Sequence, residues 1–236
     1  PGPVPANLDW TLWQGPAKDR PFLINKDRDK PGLYIHYDWH WFWEYGNGEI
    51  GNQGVHQMDI ACWAHNRGKP VKVTSTGGRF AWDDDGETPN TQATQFTYAD
   101  GSLLTFEVRN LGSFWEGGEK AGASTNSVFG ETGYYVHRRG FFDYKNKPIE
   151  VTEPLPEEVP HFRRFFSAVR SGKPEQLPVT VEEAHEACLL CQIGNVAYRV
   201  GHTLNFDPGT ERFLNSDEAN AMMKRDYRKG FEVPKI

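Results

Sequence analysis

Cysteine, long apolar runs and basic clusters are all scarce in this sequence, and each shortage excludes a class of protein. The 236 residues include three cysteines, an odd number that argues against a disulfide-stabilised scaffold. No apolar stretch reaches the length of about 20 residues that a transmembrane helix needs, so we expect no membrane span. The formal net charge is −6, and no basic run is long enough to follow a phosphate backbone. We therefore expect no nucleic-acid partner.

A dinucleotide-binding fingerprint is missing as well. No G-x-G-x-x-G motif follows a predicted strand, and that strand-to-helix turn is what places a pyrophosphate at a helix N-terminus. We therefore expect this chain alone to bind no NAD or other dinucleotide cofactor.

No metal site is expected, although three possible ligands lie close together at His36, Asp38 and His40. In an extended segment these three side chains would share one face. No fourth ligand follows at a known spacing, and the neighbouring residues are aromatic. Sugar stacking is therefore at least as natural an interpretation of this segment as metal binding.

The order of hydrophobic patterns along the chain predicts the fold class. Residues 1–35 lack a period and are interpreted as an extended arm, whereas residues 52–65 have the period of a helix. Residues 71–153 alternate as strands joined by short turns, and helices return at 157–171 and 180–201. This order predicts one α+β domain over residues 1–236, an open, largely antiparallel sheet with helices packed on one face.

Two helices of the C-terminal half have clear sequence signals. In the helix at 157–171, Val159, Phe162, Phe166 and Val169 are predicted to point inward, and Gly172 to end the helix. The next helix begins with a capping box at residues 180–183. The two cysteines in that helix, at 188 and 191, are interpreted as small buried hydrophobes.

The strongest chemical candidate in the sequence is His56. It lies in one helical row with Asn52, Asp59 and Trp63. Histidine is a general acid or base near neutral pH, and Asn52, one turn earlier, can orient the imidazole or hold a substrate hydroxyl. The alternative is a capped helix with a satisfied, half-buried histidine, and spacing alone favours that alternative.

A run of aromatic residues precedes this helix and includes Trp39, Trp41, Trp43 and Tyr45. Rings with polar edges suit carbohydrate faces, because they offer both CH contacts and hydrogen bonds. Packing in the core or in an interface explains the same residues equally well. Because the predicted sheet carries aromatic residues on both faces, we also expect a partner chain to cover one of them, which predicts a homo-oligomer.

Several separate blocks of the sequence resemble one known family. They are residues 8–17 (LDWTLWQGPA), 41–59 (WFWEYGNGEIGNQGVHQMD), the hairpin at 91–106 and the stretch at 179–207. The sequence resembles the glucose–fructose oxidoreductase/inositol dehydrogenase/MocA-like proteins over nearly its whole length. It looks closest to the branch found in planctomycete-type bacteria.

The resemblance implies that two domains share the function, one binding the cofactor and the other the substrate. Members of this family have an N-terminal Rossmann domain that binds NAD or NADP, followed by an open-sheet domain that binds substrate and forms oligomers. Only the second domain is present in this sequence, with residues 1–35 as the linker arm. The family's Glu-Lys-Pro motif belongs to the missing domain, so NAD or NADP is expected in the full-length parent and the chain alone is expected to be inactive.

The resemblance also assigns roles to individual residues. His56 matches the histidine of the family's Asp-x-x-x-His pair, whereas Asn52 stands at the aspartate position and removes a charge. His56 and Asn52 are thus implied as catalytic residues. The implied substrate-binding residues are His40, Trp41, Tyr45 and Asp59.

These observations predict the substrate-binding domain of an NAD(P)-dependent oxidoreductase that acts on a sugar or polyol hydroxyl. One alternative is a non-catalytic binding or dimerisation module. Another is a redox-assisted glycosidase or lyase that acts on oxidised sugars.

Overall fold

The computed structural model describes residues 1–24, 32–81, 83–110, 125–152 and 159–234. Helices and strands follow in the order α1 (Trp10–Gln14), a 3-10 helix (Asp38–Trp41), α2 (Gly48–Asn52), α3 (Gly54–His65), β1 (Lys72–Gly78), β2 (Thr91–Thr97), β3 (Leu103–Arg109), β4 (Ser127–Phe129), β5 (Gly133–Val136), β6 (Gly140–Asp143), β7 (Pro148–Ile149), α4 (His161–Ser171), a second 3-10 helix (Pro174–Gln176), α5 (Val181–Val200), β8 (Leu204–Asp207), β9 (Arg212–Phe213) and α6 (Asp217–Met222). Helices and open antiparallel sheets together confirm the α+β class predicted from the sequence.

The chain divides into two compact units. Unit 1 comprises Pro1–Gly54, Pro70–Ser113 and Cys191–Ile236, and unit 2 comprises Val55–Lys69 and Phe114–Leu190. One boundary falls after Gly54, the first residue of α3, and another falls within α5. The single domain over residues 1–236 stays a prediction.

Unit 1 is built on a five-stranded sheet with the strand order β3-β2-β1-β8-β9. Its strands alternate as the sequence predicts: Gln92, Thr94 and Phe96 of β2 are buried, whereas Ala93 and Gln95 between them are exposed. The hairpin that joins β2 to β3 is also confirmed, with its turn at residues 99–102. One face of this sheet is therefore a core face and the other is polar.

The C-terminal half of α5 packs on this core face through a glycine. A Cβ added at Gly194 would lie 3.1 Å from Ile50 Cδ1 and 3.2 Å from Thr94 Cγ2. Helix α5, the five-stranded sheet and α2 thus pack together at Gly194. Phe96, Ile193 and Leu204, all fully buried, belong to the same core.

Unit 2 contains a four-stranded antiparallel sheet with the order β4-β5-β6-β7. Its rings stack across neighbouring strands, as in the pairs Phe129–Tyr134 and Tyr134–Phe142, with centroids 5.6 and 5.3 Å apart. Phe129 and Phe141 are nevertheless exposed. This smaller sheet thus exposes large rings, and the partner chain expected to cover a sheet face stays a prediction.

Several sequence expectations need correction. The N-terminal arm is not wholly extended, because Asp9 caps the short helix α1 by accepting a hydrogen bond from the backbone N–H of Leu12. The helix predicted at 52–65 is two helices that separate at Gln53. The strands β8 and β9 were not predicted.

The predicted orientation of α4 is wrong. Phe162, Phe166 and Val169, expected to point inward, are exposed, as is Phe165. The helix ends as predicted at Gly172, which has a φ of +65°. The helical period gives the apolar stripe correctly, but the described residues leave that stripe exposed. Residues 153–158, part of which was expected in this helix, lie outside the described residues.

The cysteine interpretation is half confirmed: Cys191 is buried and Cys188 is exposed. The capping box at the start of α5 is confirmed, because Thr180 and Glu183 exchange hydrogen bonds. Within the described ranges, the search for a helix long and apolar enough to cross a membrane found none.

Candidate functional site

His56 is the third residue of α3, and its side chain is exposed. Asp59 and Trp63 follow it at the i+3 and i+7 positions of the same helix, and both are exposed as well. Trp63 is 82% exposed, an unusual state for a tryptophan. The three side chains form one outward stripe of α3 that offers an imidazole, a carboxylate and an indole ring.

The inward side of α3 is apolar. Met58 is fully buried. Burial, together with the negative charges of Glu186 and Asp59, raises the pKa of the Cys62 thiol to about 12. Cys62 is therefore a neutral packing residue, and the chemistry of this helix belongs to its exposed stripe.

Asn52 lies in α2, in unit 1, whereas His56 lies in unit 2. The continuous helical row expected from the sequence is therefore interrupted after its first member. The side chain of Asn52 donates a hydrogen bond of 3.2 Å to Glu49 Oε2. The same Glu49 oxygen lies 4.0 Å from Nε2 of His40. Unit 1 thus brings together His40, Glu49 and Asn52.

His40 is held in a defined orientation within this cluster. Its side chain is buried, and its Nδ1 lies 2.7 Å from the carbonyl oxygen of Tyr37. Because a carbonyl oxygen only accepts, Nδ1 must carry the hydrogen. In the neutral imidazole Nε2 is then an acceptor that faces Glu49, and in the charged form it becomes a donor toward that carboxylate.

Trp41 is half-buried beside the same histidine, with ring centroids 4.6 Å apart. Its other neighbour is Arg79, whose guanidinium carbon lies 5.4 Å from the Trp41 ring centroid. Arg79 is also paired with Asp84 through two hydrogen bonds. The Trp41 ring is therefore fixed between two cationic or polar groups.

Tyr45 occupies a different environment, an aromatic cluster. Its ring lies 5.1 Å from those of both Trp13 and Tyr34, and its hydroxyl donates to Gln14 Oε1. Burial, followed by the neighbouring Tyr34, raises the pKa of Tyr45 to about 12. These contacts account for Tyr45 as a core residue, and its substrate contact stays a prediction.

The segment 36–40 does not have the extended geometry on which the metal interpretation depended. Asp38–Trp41 is a 3-10 helix, His36 is exposed and His40 is buried. Among the residues that the structure describes, no group of three or more His, Cys, Asp or Glu side chains is arranged to hold a metal ion.

The glycines at 46, 48 and 51 have the spacing of a dinucleotide fingerprint, but not its structural context. They follow a turn rather than a strand, and the helix that they open, Gly48–Asn52, has only five residues. A fingerprint needs a strand before it and a long helix after it. This glycine run is therefore not a dinucleotide-binding fingerprint.

Sequence reasoning missed Glu49. The signal was present, since a carboxylate three residues before Asn52 shares its helical face. What the sequence did not indicate is that His40, already a predicted substrate-binding residue, lies 4.0 Å from Glu49 although it belongs to a different element.

A family model described as "Oxidoreductase family, C-terminal alpha/beta domain" matches residues 1–233. No curated protein matches the chain.

Solved structures match at the level of the fold. The WlbA dehydrogenase from Bordetella pertussis, in complex with NADH and UDP-GlcNAcA, is 18% identical, with a TM-score of 0.51 over 79% of this chain and 53% of that one. An oxidoreductase from Agrobacterium radiobacter in complex with NAD+, L-tartaric acid and magnesium is 13% identical, with a TM-score of 0.52 over 75% and 54%. The aldose-aldose oxidoreductase from Caulobacter crescentus, complexed with glycerol, is 14% identical, with a TM-score of 0.52 over 72% and 51%.

This chain spans about half the length of these relatives. The branch within the family stays a prediction. Because the family match extends over residues 1–233, the chain belongs to the Gfo/Idh/MocA oxidoreductase family, as its C-terminal domain.

Proposed function

We propose that this chain is the substrate-binding domain of an NAD(P)-dependent oxidoreductase that acts on a sugar or polyol hydroxyl, with His56 as the proton acceptor. The observation that carries the proposal is the exposed imidazole in the first turn of α3, within the segment 41–59 that resembles the family's active-site helix. An exposed histidine beside Asp59 is available to a ligand, unlike the satisfied, half-buried histidine of the alternative interpretation.

Oxidation of an alcohol needs two acceptors, one for a hydride and one for a proton. Oxidation of a secondary alcohol to a ketone removes a hydride from carbon and a proton from oxygen. A neutral imidazole accepts that proton near neutral pH. The hydride needs an acceptor such as the nicotinamide of NAD(P), and in the proposal a nucleotide-binding domain holds that cofactor. The contribution of this chain is to bind the substrate and to take its proton.

The remaining predicted residues take supporting roles in the proposal. Asp59, on the stripe of His56, accepts a hydrogen bond from a neighbouring substrate hydroxyl. Asn52 offers a neutral amide where the family has an aspartate, so it positions substrate rather than sharing a proton. His40 and Trp41, in unit 1, keep their predicted role as substrate-binding residues.

The relatives support the choice of a hydroxyl-rich substrate. The three structures named above hold UDP-GlcNAcA, L-tartaric acid and glycerol, respectively. All three molecules carry hydroxyl groups on adjacent or nearby carbons. The likeness itself is one of fold, so the substrate class is a proposal for this chain.

The reading frame upstream of Pro1 provides the first test. The proposal expects it to encode about 120–150 residues of a nucleotide-binding domain with a Gly-rich turn after its first strand. The isolated 236-residue chain should form no NADH with any sugar, and its melting temperature should not change with NAD(H). A clear thermal shift with NAD(H) would contradict the proposal that the nucleotide-binding domain, and not this chain, binds the cofactor.

A second candidate function is association, because the small sheet of unit 2 exposes large rings. Phe129, Phe141 and Tyr144 are all exposed on β4, β6 and the turn after β6. Exposed rings on a sheet are typical of a surface that a second copy covers. Light scattering over a range of concentrations tests this: a strict monomer at high concentration would contradict a homo-oligomer formed through the sheet face.

A redox-assisted glycosidase or lyase remains distinguishable by its products. Such an enzyme would cleave the sugar without net formation of NADH. Mass analysis of the products, together with absorbance of NADH, separates this outcome from the proposed oxidation.

A further inference from the structure

Two exposed aromatic rings flank the buried histidine of unit 1. The rings of Tyr37 and Trp39 are 64% and 39% exposed. Both meet the His40 ring edge-on, with centroids 5.0 and 5.9 Å away. Because His40 is itself fixed to the Tyr37 carbonyl oxygen, the two rings rest on a rigid support. An exposed pair of rings held in this way is a prepared surface for the CH face of a ligand.

The same histidine is the neighbour of a carboxylate that keeps free acceptor capacity. Glu49 Oε2 accepts from Asn52 Nδ2 at 3.2 Å and lies 4.0 Å from His40 Nε2, too far for a hydrogen bond. The Glu49 side chain is 14% exposed, so a ligand can reach it. A carboxylate offers about four lone-pair positions, and most of those of Glu49 are unused by the described residues.

The surroundings of this carboxylate within the described part of the chain determine its charge. Among the described residues, no lysine or arginine forms an ion pair with Glu49, and His40 is charged only when protonated. Arg79, which stacks on nearby Trp41, is itself paired with Asp84. The cluster therefore carries negative charge and hydrogen-bond acceptors.

We propose that Glu49 and Asn52, together with the rings of Tyr37 and Trp39, form a subsite for a neutral sugar or polyol that discriminates against uronates. This inference rests on the proposed function and names its substrate class. The Glu49 carboxylate accepts a hydroxyl hydrogen, the Asn52 amide supplies a neutral polar partner, and the rings contact the CH face. A uronate carboxylate in the same place meets a like charge and loses affinity.

The test measures sugar binding to the whole 236-residue chain by two-dimensional NMR, with D-glucose and D-glucuronate as a matched pair. These probes differ only in carrying a CH2OH or a carboxylate at C6. We expect glucose to perturb the resonances of Trp39 and Asn52 with a Kd in the millimolar range, as is usual for a small ligand. Glucuronate should bind about tenfold more weakly.

Variants distinguish the parts of the subsite. Glu49→Gln should bring the two affinities close together, because it removes the like charge while keeping the shape. Trp39→Ala should weaken the binding of both sugars, whereas Tyr227→Ala, which removes another exposed ring, should change neither affinity. Equal affinity of the wild type for both sugars, no effect of Trp39→Ala, or no perturbation by either sugar would each overturn the proposal.

The sugar-binding measurement and the oxidation assay test the subsite and the proposed function independently. If glucose binds as described but no hydroxyl compound is oxidised by the protein joined to a nucleotide-binding domain, the subsite stands and the proposed function fails. If oxidation occurs with a substrate that leaves Trp39 and Asn52 unperturbed, the proposed function stands and the subsite is wrong.

Discussion

Asn195 Nδ2, in α5, donates a hydrogen bond of 2.7 Å to the backbone carbonyl oxygen of Asn47, which directly precedes α2. The Asn195 Oδ1 atom in turn accepts from Gln92 Nε2 of β2, at 3.4 Å. One buried side chain thus ties the sheet, the long helix and the turn before Glu49 together. The position of the candidate site in unit 1 depends on this connection.

Replacing Asn195 with alanine should therefore lower the free energy of unfolding by about 1–3 kcal/mol, since buried polar partners lose their hydrogen bonds. Urea denaturation followed by circular dichroism measures the change. Gln192→Ala, an exposed position on the same helix, is the control and should stay within about 0.5 kcal/mol of the wild type. Equal stability of the two variants would contradict a role of Asn195 in the core.

Gly48, the first residue of α2, should not tolerate a side chain. It has a φ of +70°, and an added Cβ would lie 2.9 Å from Thr88 Cβ. Gly68 has nearly the same φ, +68°, but a Cβ added there would have no atom within 4 Å. We expect Gly68→Ala to cost about 1 kcal/mol from backbone conformation alone, and Gly48→Ala to cost about 1–3 kcal/mol more from the contact. Thermal unfolding of both variants checks this difference.

The capping box of α5 should give a pH-dependent contribution to stability. Hydrogen bonds from the Thr180 backbone N–H and hydroxyl hold the pKa of Glu183 below its ordinary value. A depressed folded-state pKa stabilises the protein above the unfolded pKa, and this stabilisation is lost as the pH falls through the folded value. The advantage of the wild type over Glu183→Gln should therefore be present at neutral pH and shrink as the pH drops below about 4.5.

Glu182→Gln, at the neighbouring exposed position, should show no comparable trend. Removing the cap by Thr180→Ala should cost about 1 kcal/mol at neutral pH. An advantage of wild type over Glu183→Gln that grows toward acid would contradict this assignment.

The three cysteines should differ in reactivity. Burial raises the pKa of Cys62 to about 12, so at pH 8 almost none of it is thiolate. Cys191 is buried and Cys188 is exposed. Iodoacetamide at pH 8, followed by peptide mass analysis, should modify Cys188 first. Labelling of Cys62 at the same rate would contradict its described burial.

Local sequence patterns predicted the elements whose partners lie nearby in the chain. The β2–β3 hairpin follows from its alternation and its Asp100-Gly101 turn, and the α5 start follows from its capping box. The strands β8 and β9 have only four and two residues. Because β8 pairs with β1, more than 120 residues earlier, no local pattern indicated it.

For the candidate site, the sequence predicted residue types and not their geometry. His56 emerges with Asp59 on an exposed face, but the separation of α2 from α3 at Gln53 is invisible to helical periodicity. Periodicity likewise located the apolar stripe of α4 without indicating that this chain leaves it exposed. Glu49 becomes part of a candidate site because it lies near His40, and only the tertiary structure brings these two residues together.

The most direct test of the central claim is NADH formation by a polypeptide that joins this chain to the nucleotide-binding domain expected upstream, assayed with neutral sugars and polyols. The account predicts activity in the wild type, a fall in kcat of about 10²–10⁴-fold in His56→Asn with little change in KM, and no change in His202→Asn, an exposed control. Wild-type rates in His56→Asn would contradict the assignment of His56 as the proton acceptor.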